Sequence, residues 1–260
     1  ATGFPWNLTG SLFAVDLASL QAASVIGAYG LCVIALFFAL VPVFWVLGHR
    51  RFAAIFLMLP LVFTAFGAMR LANVSDGRSA SLTSMIRLVQ PAIPQADKWD
   101  RSKRQRHLDR LVSLSRQGDV VPKLVIWPET AFAGFASRSQ LLLNTTIRNA
   151  TQNDGVVITG IPRFGGGRKL LNSAIMIDHN GAIKAVYDKR HLVPFGEYMP
   201  FRKWLPFLEP IAGPIDFAPG QNNSLMHLDG YGTMQMLICY EVIFAGAVIG
   251  QEMRPNMMIN

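Results

Sequence analysis

The chain has 260 residues, of which 51% are apolar and only 15% charged, and its formal net charge is +8. This composition excludes intrinsic disorder, which requires low hydrophobicity and high charge, and two cysteines are too few for a disulfide scaffold. Only three of the 24 Lys and Arg residues and one of the 16 acidic residues lie within 1–72. We therefore predict a membrane region over 1–72 and a water-soluble domain over 73–260.

The membrane region contains two stretches without a formal charge, residues 23–47 and 52–69. At about 1.5 Å rise per residue, the first can cross the roughly 30 Å hydrocarbon layer, and the second is near the lower limit. Each contains one proline, Pro42 or Pro60, which membrane-spanning helices tolerate better than soluble helices do. We predict two transmembrane helices, and a buried soluble hairpin is the alternative.

The segment between the two predicted spans is only four residues long, 48–51, and carries Arg50 and Arg51. A short basic loop favours the cytoplasmic side, which would place the following domain on the opposite side of the membrane. Three arginines follow the second span within 70–87, but long domains cross the membrane largely regardless of charge. The charge pattern therefore predicts an outward-facing domain.

The densest basic stretch, residues 98–110, does not indicate a nucleic-acid partner. Asp100 and Asp109 interrupt it, and it lacks the glycine and aromatic pattern of an RNA-binding strand. We interpret it as the solvated face of a helix, with a mild attraction to anionic lipid headgroups as an alternative.

Strands with interspersed helices are predicted after residue 81, which indicates an α/β layered domain. Asn180-Gly181 predicts a hairpin, and Ser137 is a candidate helix cap. In chain order we expect a strand over 82–89, a helix over 101–116, a strand over 123–127, a helix from Ser137 to about 153, and strands over 156–160, 174–177, 183–187 and 234–238.

Three reactive side chains closely follow predicted strands: Glu129, Lys189 and Cys239. The ends of strands are where α/β folds place catalytic groups. A thiol attacks as the thiolate and needs a base or a cation nearby, so Glu129 is a candidate base and Lys189 a candidate cation that stabilises an oxyanion. Since Cys32 lies within the first predicted span, Cys239 is expected to be a free thiol.

Each of these residues also has a simpler interpretation. A lone cysteine after an apolar strand, such as Cys239, is more often buried filler than a nucleophile. Glu129 alone could cap the helix that follows it, and an isolated lysine such as Lys189 is by default a surface residue. Spacing alone therefore leaves an acyl-transfer site as one hypothesis beside these alternatives.

The sequence around these residues resembles the nitrilase (carbon–nitrogen hydrolase) superfamily, and within it the membrane branch of apolipoprotein N-acyltransferases. The order Glu, Lys, Cys is the triad order of the superfamily, and the long motif after the lysine, together with membrane spans, resembles the acyltransferase branch. The matching motifs are Trp127-Pro128-Glu129, Tyr187-Asp188-Lys189-Arg190-His191-Leu192-Val193-Pro194-Phe195-Gly196-Glu197-Tyr198 and Ile238-Cys239-Tyr240-Glu241, supported by Gly3-Phe4-Pro5-Trp6, Val89-Gln90 and Lys98-Trp99-Asp100.

The resemblance implies a nitrilase-like αββα sandwich and a phospholipid:apolipoprotein acyltransferase of the bacterial inner membrane, with its catalytic domain on the periplasmic side. The acyl chain would pass through a cysteine thioester to the N-terminal α-amine of the S-diacylglyceryl-cysteine of a lipoprotein. Glu197 would orient the lysine, Glu241 would help in the same way, and the Tyr240 N–H would join Lys189 at the oxyanion. The residues implied are therefore Glu129, Lys189 and Cys239 as the catalytic triad, with Glu197, Tyr240 and Glu241 in support.

The implied partners are a phospholipid donor, a diacylglyceryl-apolipoprotein acceptor and the membrane, and neither a cofactor nor a metal is implied. Such proteins have further spans before this region, and they continue beyond the position of Asn260 into more strands and a final span, so the chain resembles a fragment truncated at its C-terminus. The alternative activity is a membrane-tethered amidase or nitrilase of the same fold that hydrolyses a soluble C–N substrate. A non-catalytic, membrane-anchored binding domain is the third interpretation.

Overall fold

A computed structural model describes residues 8–73, 85–94, 96–120, 122–131, 140–151, 154–200, 216–221, 225–244, 248 and 254–260. The chain divides into two compact units, Ala1–Ser81 and Leu82–Asn260. The predicted boundary lay at residues 72 and 73. Ser137, residues 82–84 and the motif at residues 3–6 were singled out in the sequence but lie outside the described residues.

The first unit is helical. Asp16 caps its first α-helix, because the side-chain Oδ1 accepts hydrogen bonds from the N–H groups of Ala18 and Ser19 at 2.8 and 2.9 Å. At Gly67 a Cβ atom would overlap the carbonyl oxygen of Ala18, so only glycine permits this backbone contact. The helices are a 3₁₀ helix Thr9–Val15, α1 Leu17–Leu20, α2 Ala23–Ala39, α3 Val41–Val46 and α4 Arg50–Asn73.

Two helical segments of the first unit are long and apolar enough to cross a membrane. Ala23–Val46 and Arg50–Asn73 have 24 residues each and mean hydropathies of 2.4 and 2.2, and about 36 Å of helix spans a hydrocarbon layer of about 30 Å. The backbone of α2 departs from helical geometry at Gly27, where φ is +69°. The lengths and compositions fit a membrane protein, in agreement with the two predicted spans.

The second unit is built on a five-stranded mixed sheet with the strand order β1-β2-β3-β4-β5. The first three strands are parallel, and β3, β4 and β5 pair antiparallel. A turn containing Asn180 and Gly181 joins β4 to β5, as the sequence predicted. The elements are β1 Ile86–Leu88, α5 Arg104–Ser115, β2 Leu124–Ile126, α6 Gln140–Ala150, β3 Val156–Phe164, β4 Leu170–Asp178 and β5 Ile183–Asp188.

A second sheet of three strands lies against one face of the first. It contains β6 Met226–Leu228, β7 Gly232–Met236 and β8 Met257–Ile259, in the order β6-β7-β8. Between the sheets is a core of apolar side chains that includes Ile158 and Met234. On the opposite face of the first sheet, α5 and α6 cover a second core. The described residues therefore provide a helix layer and two sheet layers of the expected αββα sandwich.

The structure also corrects several predicted strands. β6 and β8 are not among the predicted strands, because three residues show no measurable alternation. β1 and β2 are equally short but lie within longer segments that the sequence predicts as strands. β3 and β4 continue beyond their predicted ends, since nine consecutive residue pairs join them across the hairpin. The strand predicted over 82–89 is confined to Ile86–Leu88 in the described residues, and the one predicted over 234–238 occupies Gly232–Met236.

Candidate active site

Glu129 follows β2 through the short segment Trp127-Pro128. The Trp127 N–H donates to the Ile158 carbonyl at 2.9 Å, which continues the pairing of β2 with β3 past the end of the strand. Glu129 itself is exposed, and its Oε1 accepts a hydrogen bond from Asn172 Nδ2 at 2.9 Å. Within the described part of the chain no hydrogen bond engages the other carboxylate oxygen, which leaves it available for proton transfer.

Gly160 on β3 allows the Glu129 segment to approach the sheet. A Cβ atom at this position would lie 2.6 Å from the Thr130 nitrogen and 2.8 Å from Glu129 Cα, which is closer than a real side chain permits. In the sequence, Gly160 is only the last residue of a predicted strand. The backbone contact shows that it also determines where the candidate base sits.

Lys189 is buried rather than on the surface, so the default interpretation of an isolated lysine is wrong here. It follows β5 directly and is only 1% exposed. Its backbone N–H donates to the backbone carbonyl of Asn172 at 2.8 Å, and its side-chain Nζ lies 2.8 Å from Glu197 Oε2. A buried ammonium group requires such a partner, because burying an unpaired charge is costly.

Asp188, the residue before Lys189, anchors the end of β5. Its Oδ1 accepts hydrogen bonds from Arg163 Nε at 2.8 Å and from Ser173 Oγ at 2.6 Å, and Arg163 also forms an ion pair with the second oxygen. Arg163 and Ser173 come from β3 and β4. Three adjacent strands therefore fix the backbone immediately before the buried lysine.

Glu197 connects the lysine to the rest of the site. Its Oε2 contacts Lys189 Nζ and accepts the Val193 N–H at 2.9 Å, while its Oε1 accepts from Asn172 Nδ2 at 3.0 Å. The sequence resemblance placed Glu197 near the lysine, and the structure brings the two together. Asn172, which joins Glu197 to Glu129, was not singled out in the sequence.

Cys239 lies at the start of a 3₁₀ turn, Cys239–Ile243, just after β7. Its thiol is free and exposed, which contradicts its interpretation as buried filler. Its backbone has φ +55°, a left-handed conformation that is unusual for a residue with a side chain. Non-glycine residues in this conformation cluster at functional sites, where the surrounding structure holds them in place.

Glu241 binds two loops rather than the lysine, which differs from its expected role. Its Oε2 accepts from the Tyr187 hydroxyl and the Ile238 N–H, each at 2.9 Å. Its Oε1 accepts from the N–H groups of Arg190 and His191 at 2.8 and 3.0 Å. The carboxylate thus ties the loop that carries the nucleophile candidate to the loop that follows the lysine.

Tyr187 is the hydroxyl donor in this arrangement, and it is fully buried. Burial raises the pKa of Tyr187 well above its usual value, and the negative charge of Glu241 raises it further. The phenol therefore stays protonated at any physiological pH and remains a donor to the carboxylate.

Glu129 and Cys239 open onto one cavity of about 540 Å³ between the two sheets and the ends of their strands. Asn172 also lines it, whereas Lys189 is not among the lining residues in the described part of the chain. The backbone N–H of Lys189 bonds to the Asn172 carbonyl, and its Nζ contacts Glu197. The remaining walls are mostly apolar, formed by residues such as Leu88, Trp127, Ile158, Met236 and Ile259. A carboxylate and a thiol in an apolar-walled cavity are suited to nucleophilic acyl transfer.

Residues 85–253 match the family described as carbon-nitrogen hydrolase. The chain therefore belongs to the carbon–nitrogen hydrolase family, as the resemblance of its motifs predicted. This family assignment and the mixed α/β sheets together confirm the predicted fold class.

The chain is more similar in sequence to relatives of known name than to the solved structures that resemble it. The chain is 34% identical to the apolipoprotein N-acyltransferase of Brucella suis biovar 1 (strain 1330), over 94% of this chain and 48% of the relative. It is 35% identical to the protein of that name from Allorhizobium ampelinum, over 100% of this chain and 51% of the relative. The chain thus spans about half the length of the curated relatives it matches.

The solved structures that resemble the chain do so at lower identity. The carbon-nitrogen hydrolase from Helicobacter pylori G27 is 16% identical, with a TM-score of 0.44 over 62% of this chain and 53% of that chain. A mutant of the amidase from Nesterenkonia sp. AN1, which carries a covalent acetamide group on its active-site cysteine, is 20% identical. Its TM-score is 0.40 over 62% of this chain and 58% of that chain.

Proposed function

We propose that this chain carries the catalytic unit of an apolipoprotein N-acyltransferase, which transfers an acyl chain from a phospholipid to the N-terminal α-amine of a diacylglyceryl-modified lipoprotein. The observation that carries this proposal is the cavity shared by Glu129 and Cys239, beside the buried Lys189–Glu197 pair. The names of the relatives and the two apolar helices also support it.

In the first half-reaction Glu129 takes the proton of the Cys239 thiol, and the thiolate attacks the ester carbonyl of the phospholipid. Lys189 and the backbone N–H of Tyr240 stabilise the tetrahedral oxyanion. The carbon–oxygen bond then breaks, and the lysophospholipid oxygen receives the proton from Glu129. The acyl chain remains on Cys239 as a thioester.

In the second half-reaction the α-amine of the lipoprotein attacks the thioester carbonyl. Glu129 accepts the proton that the amine loses and returns it to the Cys239 sulfur as the carbon–sulfur bond breaks. The products are an amide and a free thiol, so the cycle is ping-pong and needs no other reactant. Glu197 keeps Lys189 oriented in both steps.

Both proposed substrates are anchored in a membrane by acyl chains, which explains why the chain has apolar helices. They tether the enzyme to the membrane that holds both substrates. We propose the bacterial inner membrane as the location, with Arg50 and Arg51 in the cytoplasm and Cys239 on the periplasmic side. A lipoprotein N-terminus is exposed for modification only after it has crossed that membrane.

Mass spectrometry of the membrane-reconstituted protein after incubation with phospholipid tests the activity. We expect an acyl adduct on Cys239 and stoichiometric release of lysophospholipid. Hydrolysis of a soluble amide with ammonia release and no acyl transfer would instead support the tethered amidase. A thiol at Cys239 that shows neither an adduct nor unusual reactivity toward alkylation would support a non-catalytic domain.

Thiol labelling of spheroplasts tests the orientation. A membrane-impermeant reagent should label Cys239, while Cys32 within the first apolar helix should stay protected. Moving Arg50 and Arg51 across the bilayer costs several kcal/mol, so the hairpin is not expected to invert. Labelling of Cys239 only after lysis would overturn the periplasmic orientation and the lipoprotein substrate.

A further inference from the structure

Asn172 lies between two carboxylates, and the proposed mechanism gives this residue no role. It is the third residue of β4, pairs with Pro162 of β3, and is 8% exposed. Its Nδ2 donates to Glu129 Oε1 at 2.9 Å and to Glu197 Oε1 at 3.0 Å. Since ionised carboxylates only accept hydrogen bonds, the NH₂ end of the amide is the end that faces them.

We propose that Asn172 is a positioning residue that holds the base, Glu129, and the lysine partner, Glu197, in register by donating one N–H to each. This inference rests on the proposed function for the role of Glu129. The residue is also bonded through its backbone, because its carbonyl accepts the Lys189 N–H at 2.8 Å. The Asn172 side chain therefore bonds the proposed base and the carboxylate that pairs with the Lys189 ammonium group, while its backbone holds the chain of Lys189.

An amide suits this position better than a carboxylate does. Two carboxylates that converge on one point repel each other, and a donor between them offsets that repulsion. An amide NH₂ supplies two donors and does not titrate, whereas an introduced carboxylate would be a third acceptor. Among the described residues, the charged groups linked to it are Glu129 and Glu197, together with Lys189, which pairs with Glu197, and Lys98, whose Nζ donates to the Glu129 carbonyl at 2.9 Å.

Two substitutions separate positioning from simple structural support. Asn172→Ala removes both donors without adding charge, and Asn172→Asp replaces them with an acceptor of the same shape. The readout is the ratio of variant to wild-type alkylation of Cys239 by iodoacetamide, measured from about pH 5 to 8, because thiol attack requires the proton to be removed. Thioester formation from phospholipid is measured in parallel.

For Asn172→Ala we expect a ratio reduced on the order of 10- to 100-fold at every pH. For Asn172→Asp we expect a larger loss at pH 8 that recovers as the pH falls, because the introduced carboxylic acid then becomes protonated and donates one hydrogen bond. Asn180→Asp, on the exposed β4–β5 turn, is the matched control and should keep a ratio near one.

A pH-independent ratio for Asn172→Asp, or wild-type rates in both variants, would overturn the proposal. If Asn172→Asp does not fold, Asn172→Ser keeps one donor and should react faster than Asn172→Ala, and equal rates for these two would also overturn it. If the alkylation results are as expected but no acyl adduct forms from phospholipid, the acyltransferase function is wrong and the positioning role stands.

Discussion

Among the described residues, the helical unit leaves many of its large apolar side chains exposed, whereas the sheet unit gathers most of its own into two buried cores. In the helical unit Val46 and Leu61 are 84% and 57% exposed, whereas Leu111 and Ile161 of the sheet unit are completely buried. Water penalises the first arrangement and lipid does not. The two units are therefore suited to different solvents, and the reactive groups described above all belong to the sheet unit.

The two cysteines provide the largest expected contrast between the units. Cys239→Ser should abolish acyl-enzyme formation, because a hydroxyl is far harder to ionise than a thiol with its pKa of roughly 8.5. Cys32→Ser is the matched control, since its side chain only bridges Gly10 N–H and the Ala28 carbonyl, at 3.3 Å each. Mass spectrometry measures both, and an adduct at the wild-type rate in Cys239→Ser would refute the nucleophile assignment.

Removing the proposed base is the next largest change. Glu129→Gln keeps an oxygen that can accept from Asn172 but cannot take a proton, so acylation should slow by about 100-fold or more. Asp229→Asn, at a carboxylate that is 93% exposed, should leave the rate unchanged. Single-turnover acylation measures both variants, and an unchanged rate and pH profile for Glu129→Gln would leave Glu129 a structural residue.

A charge placed on an exposed leucine distinguishes lipid from water as the solvent. Leu36→Lys, near the middle of the first apolar segment, should disfavour membrane insertion by about 3 kcal/mol, or roughly 100-fold. Leu141→Lys on α6 changes a leucine that is 82% exposed and should alter stability by less than about 0.5 kcal/mol. A glycosylation-reporter insertion assay measures the first, and normal insertion of Leu36→Lys would argue against a span there.

A single methyl group at Gly160 should have the smallest of these effects. Because a Cβ there meets Thr130 and Glu129 within 3 Å, Gly160→Ala should cost about 1–3 kcal/mol of unfolding free energy and slow acylation. Gly166→Ala is the control, since no described residue other than its chain neighbours lies within 4 Å of its Cβ position. Thermal melting together with acylation rates tests the pair, and equal behaviour of the two variants would contradict the close approach.

The sequence predicted the residues that immediately follow strands and missed those inside them. Glu129, Lys189 and Cys239 were found because each closely follows an apolar run. Asn172 and Arg163 carry no such local signal, since a polar residue within a strand looks the same wherever its side chain points. Their roles depend on the register of β3 with β4, which long-range pairing determines.

The partners of Glu241 were missed for a related reason. Its carboxylate bonds to Tyr187, Arg190 and His191, which lie at least 50 residues away in the sequence. The family resemblance implied that Glu241 helps to orient Lys189, but only the folded structure reveals which donors reach its carboxylate. β6 and β8 were missed because each has three residues and, unlike β1 and β2, neither lies within a longer segment predicted as a strand.

At Cys239 the left-handed backbone favours glycine for stability, whereas the proposed chemistry requires a thiol. Such a conformation costs an L-amino acid roughly 1–2 kcal/mol, and glycine adopts it freely. Cys239→Gly should therefore relieve this backbone strain, raise the melting temperature and abolish acyl-enzyme formation. A library screened for heat resistance alone would favour replacement of this candidate nucleophile, so a search for thermostable variants has to select for acylation activity as well.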